Sequence, residues 1–270
     1  MTNWKSETIQ SNGLKIHYTR TGGDKPPFVL AHGFSDDGLC WTPIAQQLEK
    51  DYDVIMVDAR GHGRSEGPEE GYGTAIMAND LAGVISGLGL SKPMVMGHSM
   101  GGATTLLLAA AYPDLPGKII IEDAGMFNPP KPDPNNPNGT LHRMGGWIID
   151  LKRKTRDEMI AICRSNSPTW PEAELGPWAD SKLRFSFYAL SRNSTVVAWE
   201  SELPKIQCPA LLLTADVERG AIVSAESAAT MQNLISGLQV VNIPGAGHNI
   251  RREQAKKFME TVWGFVGNHN

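Results

Sequence analysis

A serine, a late histidine and a choice of carboxylates carry the reactive chemistry of this chain. Ser99 stands in Gly97-His98-Ser99-Met100-Gly101, a match to G-x-S-x-G. A serine hydroxyl is a weak nucleophile until a base takes its proton and a third group orients that base. Seven histidines compete for the role. His248, in the glycine-rich stretch Pro244 to Asn249 near the end of the chain, suits it best. It fits an order of Ser, acid, His along the sequence. His98 adjoins the nucleophile and is expected to point away from the reacting face. His32 and His62 are read as loop-structuring residues, His17 falls in a hairpin, His142 in a helical insertion and His269 at the terminus.

Two loops offer an acid. One, after Ile119 to Ile121, carries Glu122 and Asp123; the other, after Leu211 to Leu213, carries Asp216 and Glu218. Asp123 is preferred, because it ends the run next after the Ser99 strand and Ala124-Gly125 leaves room for an imidazole. Glu218 and Asp216 stay open as alternatives. An oxyanion hole needs two backbone N–H groups aimed at the developing charge. Met100, the residue after the nucleophile, and Phe34, after His32-Gly33, are the expected donors.

These residues need a sheet whose strand ends converge. Met94 to Met96 feeds into Ser99, and a long run of small and apolar residues, Ala103 to Ala111, leaves it: strand, sharp turn, helix. The turn demands glycine at both flanking positions. Upstream, Ser6–Gln10 and Leu14–Arg20 alternate about Asn12-Gly13, which predicts a hairpin. Phe28–Ala31, Val54–Val57 and Ile119–Ile121 predict buried strands. Trp41–Leu48 and Thr74–Leu88 carry helical spacing. Downstream, Ala210–Thr214 and Leu238–Ile243 read as strands, and Ser224–Ile235 and Arg252–Val266 as helices. Strands alternating with helices predict an α/β class with a mostly parallel sheet and active groups at the strands' carboxyl ends.

Between these halves the texture changes. Residues 128–138 are rich in Pro, Asn and Asp, and Leu141 to Trp199 is helical and aromatic. The expected organisation is a core of residues 1–125 and 201–270, with 126–200 inserted as a helical cap. Trp147, Trp170 and Trp178 are candidate substrate contacts there.

The whole chain has 270 residues and a formal net charge of −4, with a sequence pI near 6.0. The mild acidity gives no electrostatic reason to expect nucleic acid or an anionic membrane as partner. Cys40, Cys163 and Cys208 show neither C-x-x-C nor metal-ligand spacing and are read as free thiols. No metal and no cofactor are expected. No apolar run suits a signal peptide or a membrane span, so the expectation is a cytoplasmic protein.

His32-Gly33-Phe34, Asp58 to Ser65, Gly97 to Gly101 and Gly247-His248 together resemble the α/β-hydrolase superfamily. Ile121 to Ala124, Ala215 to Val223 and Trp170 to Lys182 further resemble a group with its acid after the sixth strand, which includes serine-dependent macrolide esterases of the EstT type. That resemblance implies an ester hydrolase opening the lactone of large macrolide antibiotics, an inactivating step. The same triad also serves generic small-ester esterases, carbon–carbon bond hydrolases and cofactor-free haloperoxidases. From another class, some members of this fold act as ligand receptors with an intact triad. Dehalogenases and epoxide hydrolases need an aspartate where Ser99 stands, and a metal-dependent lactonase needs a histidine cluster that this chain lacks.

Overall fold

The computed structural model describes residues 4–126, 139–190 and 196–267, those from 139 to 144 by backbone alone. The stretch 128–138 and His269 lie outside the described residues, as does the side chain of His142.

Among the described residues, eight strands form one sheet: β1 Lys5–Ser11, β2 Leu14–Arg20, β3 Pro27–Ala31, β4 Asp53–Val57, β5 Met94–His98, β6 Lys118–Glu122, β7 Ala210–Thr214 and β8 Gln239–Asn242. Their spatial order is β1-β2-β4-β3-β5-β6-β7-β8. The hairpin β1–β2 is antiparallel and joins β4 antiparallel; every other pairing is parallel. Asn12 (φ 48°) and Gly13 (φ 81°) both take positive φ, as a tight two-residue hairpin turn requires.

The helices are α1 Thr42–Leu48, α2 Thr74–Gly87, α3 Met100–Ala111, α4 Gly139–Lys152, α5 Arg156–Asn166, α6 Glu172–Arg184, α7 Trp199–Glu202, α8 Ala225–Leu234, α9 Ile250–Glu253 and α10 Ala255–Val266. The single helix expected from Arg252 to Val266 is two. Gln254 breaks it with φ −134° and ψ 50°, outside the helical region.

Both faces of the sheet are covered, which explains strands that are continuous apolar runs. On one face Val29, Ile55, Val95, Ile119 and Leu212 pack with residues of α2 and α3 such as Leu81, Val84, Leu106 and Leu108. On the other, Phe28, Leu30, Met56, Met96 and Ile120 pack with Ile44 and Leu48 of α1 and Phe258 and Val262 of α10. Helices α4 to α6 have a small core of their own, with Leu151, Met159, Cys163, Leu175 and Trp178. Thr155 and Glu158 close a capping box at the start of α5.

From β3 the chain steps outward to β4, then returns across β3 to lay β5 on its other side. The strand order reverses there, so a crevice opens beyond the carboxyl ends of β3 and β5. Gly33 follows the first of these strands and Ser99 the second.

Candidate active site

Ser99 is the pivot between β5 and α3. Its backbone stands at φ 51° and ψ −113°, far from any comfortable region for a residue with a side chain. Such a conformation costs about 1–3 kcal/mol and persists only where its surroundings hold it. Two hydrogen bonds do so: Ser99 N–H donates to Glu122 O (3.0 Å), and Ala103 N–H donates to Ser99 O (3.0 Å). The flanking glycines are steric necessities. A Cβ on Gly97 would lie 2.2 Å from Gly101 O, and one on Gly101 would lie 2.2 Å from Ala31 O.

His248 sits in the loop between β8 and α9. Its Nδ1 and Asp123 Oδ2 are 2.7 Å apart. Asp123 is fully buried just past β6, with a positive φ of 40°. Its carboxylate also accepts backbone N–H groups from Ile222 (2.9 Å, Oδ2) and Val223 (3.1 Å, Oδ1). Three donors therefore fix the carboxylate, and one of them is the imidazole. The His248 side chain keeps 31% of its surface exposed, toward the crevice, while Asp123 keeps none.

The alternative acids stand differently. Asp216 accepts Gly245 N–H (2.7 Å) and donates its own N–H to Ala246 O (3.0 Å), so it pins the loop that carries His248. Glu218 is exposed in a single 3-10 turn, Val217–Arg219. Glu122 is fully buried and accepts both the backbone N–H (2.9 Å) and a guanidinium N–H (3.0 Å) of Arg251. Burial pushes its carboxyl above the usual range, and Arg251 opposes that rise.

Met100 is the first residue of α3, and Phe34 follows Gly33 in a turn closed by Asp36 N–H donating to Gly33 O (3.2 Å). Gly33 must be glycine for this turn to approach Ser99. A Cβ there would meet His98 Nδ1 at 2.6 Å and Ser99 Cβ at 3.5 Å. The Phe34 ring is wedged edge-on against His62 and Phe185.

His98 has a part in the site that its place in the motif did not suggest. Its Nε2–H donates to the backbone oxygen of His248 (2.9 Å), and the two rings lie 4.7 Å apart. Burial and the nearby Arg251 charge push its pKa well below the ordinary value, so it stays a neutral donor. His32 accepts Ala59 N–H at Nε2, and His62 donates from Nδ1 to Arg60 O. His17 pairs with Asp58.

A crevice of about 440 Å³ opens over Ser99 and His248. Trp147, Trp170 and Trp178, from the segment between β6 and β7, all line it, together with Phe34, Ile162 and Cys163. Trp147 is 45% exposed at the rim, whereas Trp178 is buried. Lys182 and Arg252 also line it, both buried and both ion-paired. Sequence reading had no signal for these two. A lone charge in a helical stretch ordinarily belongs to a solvated face.

A strained serine, a histidine lining the same crevice and a buried aspartate holding that histidine are parts suited to nucleophilic acyl transfer. The profile of the alpha/beta hydrolase fold family matches residues 26–251. The chain belongs to the α/β-hydrolase fold family. N-formylmaleamate deformylase of Pseudomonas putida is 27% identical over 268 residues, covering 96% of this chain and 95% of that enzyme. The crystal structure of E-2-(acetamidomethylene)succinate hydrolase superposes with a TM-score of 0.79 at 22% identity, covering 98% and 99% of the two chains. That of an enol-lactonase from Burkholderia xenovorans superposes at 0.74 with 24% identity, covering 96% and 99%. The two structures show that the α/β-hydrolase fold extends over nearly the full chain.

Among the described residues, no group of three His, Cys, Asp or Glu side chains is placed to hold a metal ion. Cys40, Cys163 and Cys208 are buried free thiols, and burial pushes Cys40 up to about 12. Among the described residues, no helix is long and apolar enough to cross a membrane.

Proposed function

We propose that this α/β-hydrolase is a serine-dependent carboxylic ester hydrolase, with Ser99 as nucleophile, His248 as base and Asp123 as its orienting acid. The observation that carries this reading is the 2.7 Å contact between His248 Nδ1 and the buried Asp123 carboxylate, at a crevice also lined by Ser99, which is held at φ 51°. With Nδ1–H committed to Asp123, the imidazole presents the bare Nε2 that a general base needs. His248 takes the Ser99 proton as Oγ bonds to the ester carbonyl carbon. The tetrahedral oxyanion is met by the N–H groups of Met100 and Phe34. The protonated His248 then gives its proton to the departing alkoxide, leaving an acyl-serine. Water, deprotonated by His248, releases the acid and restores the Ser99 hydroxyl.

For substrate we propose a bulky cyclic ester, the lactone of a large macrolide. The support is the tryptophan-lined crevice, its partly exposed rim at Trp147, and the sequence resemblance. About 440 Å³ lies within the ~300–1,000 Å³ typical of ligand clefts. It takes the reacting ester and part of the ring, with the remainder projecting past the rim. Residues 126–200 would act as the cap that shapes this opening.

A second reading has its own support. One relative matched over nearly its full length is a deformylase, and one of the superposing structures is a hydrolase of a succinate derivative. A compact acyl-amide or ester carrying carboxylates is therefore the competing substrate class. Incubation of the protein and of Ser99→Ala with a macrolide, an N-formyl amide of a dicarboxylic acid and a short nitrophenyl ester, followed by mass spectrometry, separates the readings. Ser99-dependent addition of water to the macrolide over many turnovers supports the first. Turnover of the amide with the macrolide intact replaces it.

A further inference from the structure

Four segments, the turn after β3, the end of β6, α6 and α9, meet at the crevice through buried charges. Asp36, two residues after Phe34, is 5% exposed. Its Oδ1 accepts from Lys182 Nζ of α6 (2.8 Å). Its Oδ2 accepts from Arg252 of α9 (2.9 Å) and lies 3.4 Å from Arg251 beside it. Lys182 also donates to Ser35 O (2.9 Å) and Ser181 Oγ (3.2 Å). Arg252 donates to Glu174 of α6 (2.9 Å) and to Asn249, the neighbour of His248 (3.1 Å). Arg251 continues to Glu122, whose backbone oxygen holds Ser99 N–H.

The cations also carry the aromatic walls. Lys182 Nζ lies 5.1 Å from the Trp178 ring centroid and 5.9 Å from that of Trp147, and Arg252 lies 4.3 Å from that of Trp170. The three tryptophans of the crevice thus stand on two cations, and both cations are tied to one carboxylate. That carboxylate lies in the turn that carries Phe34, where Ser35 takes a φ of 63°.

We propose that Asp36 is a positioning residue that locks the aromatic wall, the oxyanion turn and the base loop into one unit, with Lys182 as the specificity-determining arm that sets the wall. This rests on the reading of Ser99 and His248 as the reacting pair. The cluster joins three carboxylates (Asp36, Glu122, Glu174) to three cations (Lys182, Arg251, Arg252). Loss of Asp36 leaves an excess positive charge that burial makes costly, and the elements around it must shift. Loss of Lys182 removes the cation that lies against the Trp147 ring of α4 and the Trp178 ring of α6, while Asp36 still holds both arginines.

The test uses Asp36→Asn, Lys182→Met, the double variant and Ser99→Ala. For each, kcat and KM are measured on para-nitrophenyl acetate and on the larger para-nitrophenyl benzoate, with circular dichroism to check folding. Displacement of catalytic groups by about 1 Å is worth on the order of a hundredfold, so Asp36→Asn should lower kcat on both esters to that extent. Lys182→Met should raise KM for the benzoate about tenfold, and more than for the acetate, because it strips cation–π support from two walls. Because the double variant removes the excess charge, its kcat should recover about fivefold over Asp36→Asn. Partial rescue by a second substitution is not expected of simple damage to the fold.

Asp36→Asn within twofold of wild type in both constants, with Ser99→Ala inactive, overturns the proposal and leaves the nucleophile reading intact. A Ser99→Ala protein that still turns over instead overturns the reading beneath it. Should Asp36→Asn not fold, Lys182→Met decides: a benzoate-selective rise in KM supports the proposal, and an equal change on both esters, or none, overturns it.

Discussion

Asp123→Asn isolates what the buried carboxylate does. Asp123 Oδ2 takes two hydrogens, from His248 Nδ1 and Ile222 N, and Oδ1 takes one, from Val223 N. An asparagine has one oxygen to share among them. With its oxygen in the Oδ2 position it keeps His248 and Ile222 and turns its NH₂ toward Val223 N–H. The flipped form keeps only Val223. The first arrangement saves one more hydrogen bond, so His248 keeps its orientation and tautomer. What disappears is the negative charge facing the imidazolium formed during reaction. Two unit charges about 4 Å apart at an effective dielectric near 20 interact by ~4 kcal/mol. At ~1.4 kcal/mol per tenfold, kcat should fall on the order of a thousandfold. KM for a small ester should change little, since the ground state carries no imidazolium. The Val223 N–H left facing a donor should cost ~1–3 kcal/mol of stability. Steady-state hydrolysis of para-nitrophenyl acetate, with chemical denaturation alongside, reads both quantities. Asp216→Asn and Glu218→Gln belong in the same series and should each stay within tenfold of wild type in kcat. If Asp123→Asn keeps kcat within tenfold while Glu218→Gln or Asp216→Asn loses a thousandfold, the assignment of the acid is refuted.

Other outcomes follow from the same geometry. Gly97→Ala places a Cβ 2.2 Å from Gly101 O, a backbone atom that has no freedom to move away. The elbow should open at a cost of at least ~1–3 kcal/mol, with kcat reduced in parallel, measured by thermal unfolding and ester turnover. Trp170→Ala removes the ring that stacks on Arg252, and should raise KM for a bulky ester several times more than for the acetate. Below about pH 6.5 the stability should fall. Burial lowers His62 to about 3 and holds His98 well below its ordinary value. The unfolded chain therefore binds protons there that the folded one refuses, at ~1.4 kcal/mol per pH unit for each histidine. The stability present above the unfolded value is lost as pH drops toward the folded ones. Urea midpoints across pH 4.5–7.5 in His98→Gln should show a shallower decline, and an unchanged slope contradicts it.

Local order made much of this chain legible. Apolar runs bounded by glycine and proline marked the inner strands, because strands buried on both faces leave no room for alternation. The elbow was legible because a strained turn demands glycine on both sides. Between Asp123 and the Asp216–Glu218 stretch, sequence offered only a preference. β6 and β7 are neighbours in the sheet, so both loops emerge at the same end. Only the backbone donors from Ile222 and Val223 show how the chain after β7 wraps round Asp123.

The ion cluster was not legible. Asp36, Lys182 and Arg252 lie far apart in the chain, and no short-range pattern distinguishes a buried charge from a solvated one. His98 was missed for a related reason: its position beside Ser99 is local, but its partner, the His248 backbone, is 150 residues away.

Trapping of the acyl-enzyme tests the central claim most directly. Rapid quenching of the protein with para-nitrophenyl acetate, then peptide mass spectrometry, should find one acetyl group on the peptide containing Ser99, formed in a burst of about one equivalent of nitrophenol. Ser99→Ala should show neither burst nor adduct. Turnover by Ser99→Ala at the wild-type rate, or an acetyl group on another residue at the burst stage, contradicts the account.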